Sequence, residues 1–566
     1  MKRTAVAVLL ALLVCVQLSC WRQDPVFAPA SLFADGMVLQ RDARAPIWGR
    51  ARPGQVVRPS ASWLEDEFAT VTDVAGVWVL RLPTPAAGGP HTLTLHGERE
   101  VALRDVWSGD VWLCAGGADM EWRVAPGEHG GVVADGRELA PTDVPRIAHF
   151  EVRNTLAARA QADVEGEWMR ATPENVGQFS ATAWFFALEL EREAGVPIGI
   201  VNATSGGARA QSWIGEFHVR GNLVDPAELT LVDALRQRGV ERVDESLLAT
   251  EPALTPSSPT LLYNGMVVPL APYAIRGVVW RQGESDLDRC HAHARYLRTL
   301  IQCWRDLWCE PELPFLLVQL PPRTTFDVSA SGIPRNAQRL AAREQRVGLV
   351  VASDLGRDDG RAPRNEREIG RRLALQALAV AYERTDVMAS GPLLREARSE
   401  GNVVRLEFEH AQDLAALDGA LRGFEVCGPD GAFFVAQARV EGSQVVVSCP
   451  QVPVPQVVRY AFADPSAGNL SNASKLPAAS FVVELTTNRS TWPGVGCELA
   501  FCRSTLEEDL RSLRVGPCRF CARSRPQPLS ARGSTLTIRC TSFPLHGFAT
   551  ARSGPGCFAA SWRPTL

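Results

Sequence analysis

Five strand runs of the buried type, at 109–114, 197–203, 275–285, 314–320 and 347–356, punctuate the middle of the chain. A strand that is apolar on both faces has to be covered on both, and helices that return the chain between parallel strands provide that cover. Helical patterns lie between the runs, at 181–194, 291–307, 333–346 and 366–382. The alternation predicts an α/β domain over residues 106–386, a parallel sheet flanked by helices. A Leu- and Arg-rich stretch at about 214–258 breaks the rhythm and reads as an insertion with helices of its own.

On either side of this region the periodicity drops towards two. Residues 27–105 are short apolar stretches broken by Gly and Pro, with alternation in VWVLRL at 77–82 and HTLTLH at 91–96, and read as an N-terminal β-sandwich. Residues 390–487 read as a C-terminal β-sandwich. The last segment, 488–566, has 11 Arg, no Lys, four acids and six Cys, and reads as a poorly ordered tail. Two alternatives stay open there: Cys497, Cys502, Cys518 and Cys521 stand near zinc-ribbon spacing, and an Arg-rich composition also arises when GC-rich DNA is read out of frame. The 566 residues suit three or four domains at roughly 150 each.

Lys2 and Arg3 precede an apolar run at 5–16, too short to span a bilayer, so residues 1–20 read as an export signal. The expected location is periplasmic, extracellular or lipid-anchored. Leu18-Ser19-Cys20 looks like the end of a bacterial lipoprotein box, which makes Cys20 a candidate lipidation site and the only expected membrane attachment. Ordinary signal cleavage is the alternative, since Gln17 stands where that box usually has an aliphatic residue. Export makes disulfides conceivable, and Cys427 and Cys449 end two strand-like runs that a bridge could join. A formal charge of −4 offers no basic excess to neutralise phosphates, so nucleic acid is not an expected partner. Among the 59 basic residues only Lys2 and Lys475 are lysines, which removes lysine-dependent phosphate loops and Schiff bases.

Several collinear blocks resemble one family, the sialate O-acetylesterases of the SGNH hydrolase superfamily. The opening LFADGMVLQRDARAPIWGRARPGQVV, the block GDVWLCAGGADMEW at 109–122, GIVNATSGGARAQSWI at 199–214, and LLYNGMVVPLAPYAIRGVVWRQGESD at 261–286 carry the resemblance. So do the helix REIGRRLALQALAVAY at 367–382 and the stretch GFEVCGPDGAFFVAQARVEGSQVVVS at 423–448. The resemblance implies an SGNH-type sheet, a carbohydrate ester as substrate and no cofactor. It also implies a serine nucleophile, a histidine base, an aspartate to orient it and amide donors for the oxyanion.

The residues depart from that pattern. The family's nucleophile block usually reads CSGQSNM, and here CAGGADM places Ala118 at the serine position. Counting back from EIGRRLA sets the family's Asp-Asp-Ile-His-Pro run on Asp359-Gly360-Arg361-Ala362-Pro363, with Asp359 as the orienting acid and Ala362 at the histidine position. Asp119, Gly206, Gly207, Gln282, Glu284 and Asp286 remain as expected oxyanion or substrate-binding residues. The expectation is a non-catalytic glycan-binding pseudoenzyme, with neutral sugars favoured by so many carboxylates. Two rivals are an esterase with an unrecognised nucleophile, for which Ser108, Ser205 and Ser285 lie in matched blocks, and carboxylate-based glycosidase chemistry using Asp119, Glu284, Asp286 and Asp359. His291 and His293 read as a solvated helix start.

Overall fold

One strand of 17 residues, β1 (Glu100–Gly116), passes through two packing environments. Its first half pairs antiparallel with Gly88–His96 and parallel with Val38–Gln40. Its second half pairs parallel with β4 (Ile198–Thr204) on one side and β5 (Gly277–Arg281) on the other, and every residue from Gly109 to Gly116 is buried. The strand therefore runs unbroken across residues 105 and 106. The computed structural model describes residues 26–125, 146–220, 224–322, 332–355, 365–462 and 468–485. The export signal, Cys20, Asp359, Ala362 and the Cys-rich tail lie outside those residues.

The central sheet is completed by β2 (Ile147–Glu151), β3 (Trp168–Arg170), β6 (Phe315–Val318) and β7 (Val347–Val350), in the order β3-β2-β4-β1-β5-β6-β7. All neighbours are parallel except β3, which runs antiparallel to β2. It is thus a mixed sheet with one antiparallel edge strand. Helices cover both faces. Trp112 and Cys114 of β1 share a core with α2 (Ala181–Ala194) and α5 (Glu366–Val380), whereas Val111 and Leu113 share one with α3 (His293–Trp308); α4 (Gly332–Ala341) lies between β6 and β7 in the chain. Ser180 caps α2 by accepting from the Ala183 amide, and Gly195 ends it in the left-handed conformation at φ 69°. Asn365 caps α5 by accepting from the Glu368 amide at 3.2 Å.

The stretch before β1 forms a three-stranded antiparallel sheet of Ala28–Pro29, Arg44–Arg50 and Val77–Pro83, and further strands attach to the first half of β1. Alternation in 77–82 places Trp78, Leu80 and Leu82 inside and Val79 and Arg81 outside. After α5 come two four-stranded antiparallel sheets that share a core including Leu406, Val447, Phe424, Tyr460 and Phe481. Cys427 and Cys449 are separate free thiols, so the bridge that could have joined those runs is not formed. The strands they follow, Phe424–Cys427 and Gln444–Ser448, belong to different sheets. Residues 214–258 contain the helices Glu216–Val219, Pro226–Gln237 and Glu245–Thr250. Among the described residues no helix is long and apolar enough to cross a membrane.

Asp110 marks the point where β1 changes partners. Fully buried, it accepts from Gln40 Nε2 at 2.9 Å, Arg41 Nε at 3.1 Å and Nη2 at 3.2 Å, and the Tyr382 hydroxyl at 2.7 Å. One carboxylate thereby ties the N-terminal strands, the sheet and the segment after α5 together. Replacing Asp110 by Ala removes the acceptor that these groups share and is expected to lower the unfolding free energy by about 3 kcal/mol or more, read by urea denaturation, with Asp110→Asn milder.

Candidate functional site

In an open parallel sheet, ligands bind beyond the carboxyl ends of the strands, where successive connections leave to opposite sides. Here that point is β1: the chain passes from β1 to β2 and β4 on one side, then crosses to β5, β6 and β7 on the other. The carboxyl ends of β4, β1 and β5 meet there. Ser205 N donates to Gly116 O at 3.0 Å, and Gly117 N donates to Arg281 O at 3.0 Å.

The turn after β1 needs glycine. Gly116 has φ +144°, and a Cβ on it would lie 1.9 Å from Arg281 O. Gly117 then caps the short helix α1 (Ala118–Glu121), with extended backbone at φ −94° and ψ −160°. The consequence is that Ala118, at the strand-to-helix corner, is exposed while its neighbours Asp119 and Met120 are buried.

Beneath the corner lies a buried charge cluster. Arg281 is 2% exposed and pairs with both oxygens of Glu366, one of them at 3.0 Å, and donates to Thr182 Oγ1. Asp119 is 4% exposed, with an oxygen 3.9 Å from the same guanidinium. Burial by itself lowers the Arg281 pKa, but Glu366, Asp119 and Glu284 outweigh it and hold the group above the usual arginine value. Asp119, expected to line an open cleft, therefore faces inward.

Asp286 is likewise buried, at 4% exposure. It accepts from the Ala210 amide at 3.0 Å and from the Gln282 side chain, and His293 Nδ1 lies 4.0 Å away. Gln282 is itself 2% exposed. His291 is exposed, but His293 is 2% exposed, which corrects the solvated reading; burial lowers its pKa and Asp286 opposes this only in part. With Asp119 and Asp286 buried and paired, neither is open to the water or sugar that glycosidase chemistry requires. The charge argument for neutral sugars loses the same two residues.

Gly206 and Gly207 are exposed at the rim. The Gly206 amide, expected as an oxyanion donor, instead donates to Glu121 Oε1 at 2.6 Å. Glu284, two residues beyond Gln282, is half-buried. Ser108 is buried and donates to Pro85 O at 2.7 Å, and Ser205 is buried and accepts from Asn154 Nδ2 at 3.0 Å. Among the described residues neither hydroxyl is paired with a histidine.

The sequence reading missed a polar group at the carboxyl ends of β2 and β4. Glu151 accepts from Asn202 Nδ2 at 2.9 Å and from Arg123 at 3.2 Å, and Arg123 also donates to Gln178 O at 2.6 Å. His149 is 1% exposed, stacks on Phe179 at 4.6 Å between centroids, and lies 3.8 Å from Glu151. Burial, with Arg123 adding to it, pushes the His149 pKa down to about 3. The available signal was polar residues interrupting apolar runs at strand ends, as Asn202 interrupts 198–204. Among the described residues no group of three or more His, Cys, Asp or Glu has the arrangement to hold a metal ion.

Comparison with known proteins fits this geometry. A family model described as carbohydrate esterase, sialic acid-specific acetylesterase, matches residues 257–379. The human sialate O-acetylesterase is 27% identical over 410 residues, 65% of this chain and 73% of that protein. The rat enzyme is 28% identical over 415 residues, 65% of this chain and 76% of that protein. A carbohydrate acetylesterase from Xanthomonas citri, of known crystal structure, is 33% identical with a TM-score of 0.70, over 81% of this chain and 99% of that one. The chain belongs to the sialate O-acetylesterase family of carbohydrate esterases. The family model spans β5, with Arg281, and most of α5, with Glu366, while the corner at residues 116–121 lies outside it.

Two predictions follow from burial in this sialate O-acetylesterase relative. Arg281→Met leaves the buried Glu366 without its counter-charge and is expected to cost about 3–5 kcal/mol, measured by denaturant unfolding. His149, neutral when folded down to about pH 3, binds a proton in the unfolded chain below roughly pH 6.5, so its contribution falls as pH drops. Between pH 7 and pH 4 this loss is about 3 kcal/mol, and His149→Gln should flatten that part of the stability profile by a comparable amount.

Proposed function

We propose that this chain is an exported carbohydrate esterase-family protein that binds acetylated carbohydrates at the crevice around residue 118 and does not hydrolyse them. The reading rests on one observation: at the strand-to-helix corner beyond the carboxyl end of β1 the exposed side chain is the methyl group of Ala118. A methyl group has no lone pair with which to attack an ester carbonyl. In this reading Ala118 stands in the place of the nucleophile and Ala362 in that of the histidine, which leaves Asp359 with no imidazole to orient. Loss of a triad nucleophile lowers turnover by about a millionfold in a well-measured protease, and losing a second member adds little. Gly206, Gly207 and Glu284 are the family-position residues at the rim that would meet sugar hydroxyls. Export follows from the basic and apolar start of the chain, and Cys20 is the place for a lipid anchor if one is attached.

The test is acetate release from an acetylated sugar and from a small acetyl ester, with the unmodified chain beside the Ala118→Ser, Ala362→His double variant. The unmodified chain is expected to show no turnover above background while binding the acetylated sugar by calorimetry. The double variant is expected to recover weak hydrolysis. Turnover by the unmodified chain, retained after serine-directed phosphonate treatment fails to label it, would remove the non-catalytic reading and every serine-based alternative together.

A further inference from the structure

Five arginines among the described residues are buried: Arg281, Arg305, Arg335, Arg339 and Arg372. Four of them meet carboxylates or main-chain carbonyls. Arg281 holds Glu366, Arg372 donates to both oxygens of Asp354 at 2.7 Å, Arg305 donates to the carbonyls of Leu313 and Gln345, and Arg335 to those of Ala461 and Phe462. Arg339, on α4 and 7% exposed, is the exception. Its Nε and Nη2 both donate to one neutral acceptor, Asn336 Oδ1, at 3.1 and 2.8 Å, and it makes no ion pair among the described residues.

The charge that bears on it is another cation, Arg343. Ala342 N donates to Gln338 O at 3.0 Å and Arg343 N to Leu340 O at 3.3 Å, so the chain stays helical just past α4 and residues 339 and 343 share a side. Arg343 is exposed and makes no ion pair among the described residues either. Burial, with Arg343 adding to it, pushes the Arg339 pKa down to about 9, whereas the carboxylates beside Arg281 and Arg372 raise theirs. Arg339 is still a cation at neutral pH.

A buried cation held by a single amide oxygen is unfavourable, and a bound counter-ion offsets that. Asn336 occupies the Nε side of the guanidinium, which leaves the Nη1–Nη2 edge, two parallel N–H bonds that match a pair of oxygens on one anion. Nη1 has no partner among the described residues and is not fully enclosed. We propose that Arg339, Arg343 and Asn336 form a binding site for one oxyanion, either a free inorganic ion or the acid group of a sugar. Arg339 supplies the fork, Asn336 fixes its orientation, and Arg343 adds a second positive charge from the solvent side. None of the three belongs to the crevice around residue 118.

The test is urea denaturation of the full chain in millimolar sodium sulfate against sodium chloride of equal ionic strength, so that screening is the same in both. With a dissociation constant of about 1 mM, ~10 mM sulfate raises the folding equilibrium constant about elevenfold. Arg343→Gln, a change at an exposed position, is expected to need about tenfold more sulfate for the same rise. Arg339→Met is expected to lose the rise and, with an uncompensated buried charge gone, to be no less stable than the unmodified chain in chloride. General exclusion of sulfate from protein surfaces would move all three chains alike. Glucuronate in place of sulfate separates the two sources: action at a lower concentration than sulfate assigns the acid group of a sugar, and action at a higher one assigns the free ion. Equal midpoints in sulfate, glucuronate and chloride, or a rise that Arg343→Gln leaves unchanged, overturn the proposal, and the second of these decides the matter if Arg339→Met fails to fold.

Discussion

The buried guanidinium of Arg281 is the interaction on which the site region depends. Its main chain lies against the Gly116–Gly117 turn, so close that residue 116 has no room for a Cβ, and its side chain holds Glu366 and Thr182 with Asp119 alongside. One residue therefore joins the end of β5, the corner after β1, the first turn of α5 and the first turn of α2. A charge at 2% exposure is tolerable only because its counter-charges are equally dry, and each of them would be costly without it. The exposed position of Ala118 is a result of this packing: the corner is pinned from below and has one free side.

Buried polar groups of this kind recur at each seam of the molecule. Asp110 fastens the N-terminal strands to the sheet, Asp286 fastens the segment after β4 to the segment after β5, and Arg335 reaches from the helix Gly332–Ala341 to the carbonyls of Ala461 and Phe462. Apolar burial supplies most of the driving force for such a fold but is indifferent to register. Hydrogen-bonded charges have one geometry that satisfies them, so they are the natural way to fix how layers of strands and helices meet. The same physics explains why carboxylates near the crevice are structural here: a buried acid with two or three donors has no capacity left for substrate.

Much of the architecture was legible. The five apolar runs are strands of one sheet, the helix at 181–194 has the expected ends, and those at 366 and 333 begin within a residue of their patterns. These features are legible because they arise from local periodicity and from the burial demand of a two-faced strand. Which acids face the crevice was not legible. Asp119 and Asp286 sit in blocks that read as site residues, and both turn inward, because a neighbour in sequence on a tight turn or short helix can point to the opposite side. Glu121 taking the Gly206 amide, and Glu151 gathering Asn202 and Arg123, are contacts between residues 85, 51 and 28 positions apart, which no local pattern announces.

The sequence by itself determined the class of fold, the family likeness and the residue at each aligned position, because these depend on periodicity and on the order of blocks along the chain. Only the tertiary structure decided which of those residues are open and which are braced, and it alone brought Arg281 to Glu366, 85 positions along the chain. The physical reason is that exposure and pairing are properties of packed surfaces from distant segments. A local pattern states what a segment must bury, and the partner it is buried against is chosen only when the layers close.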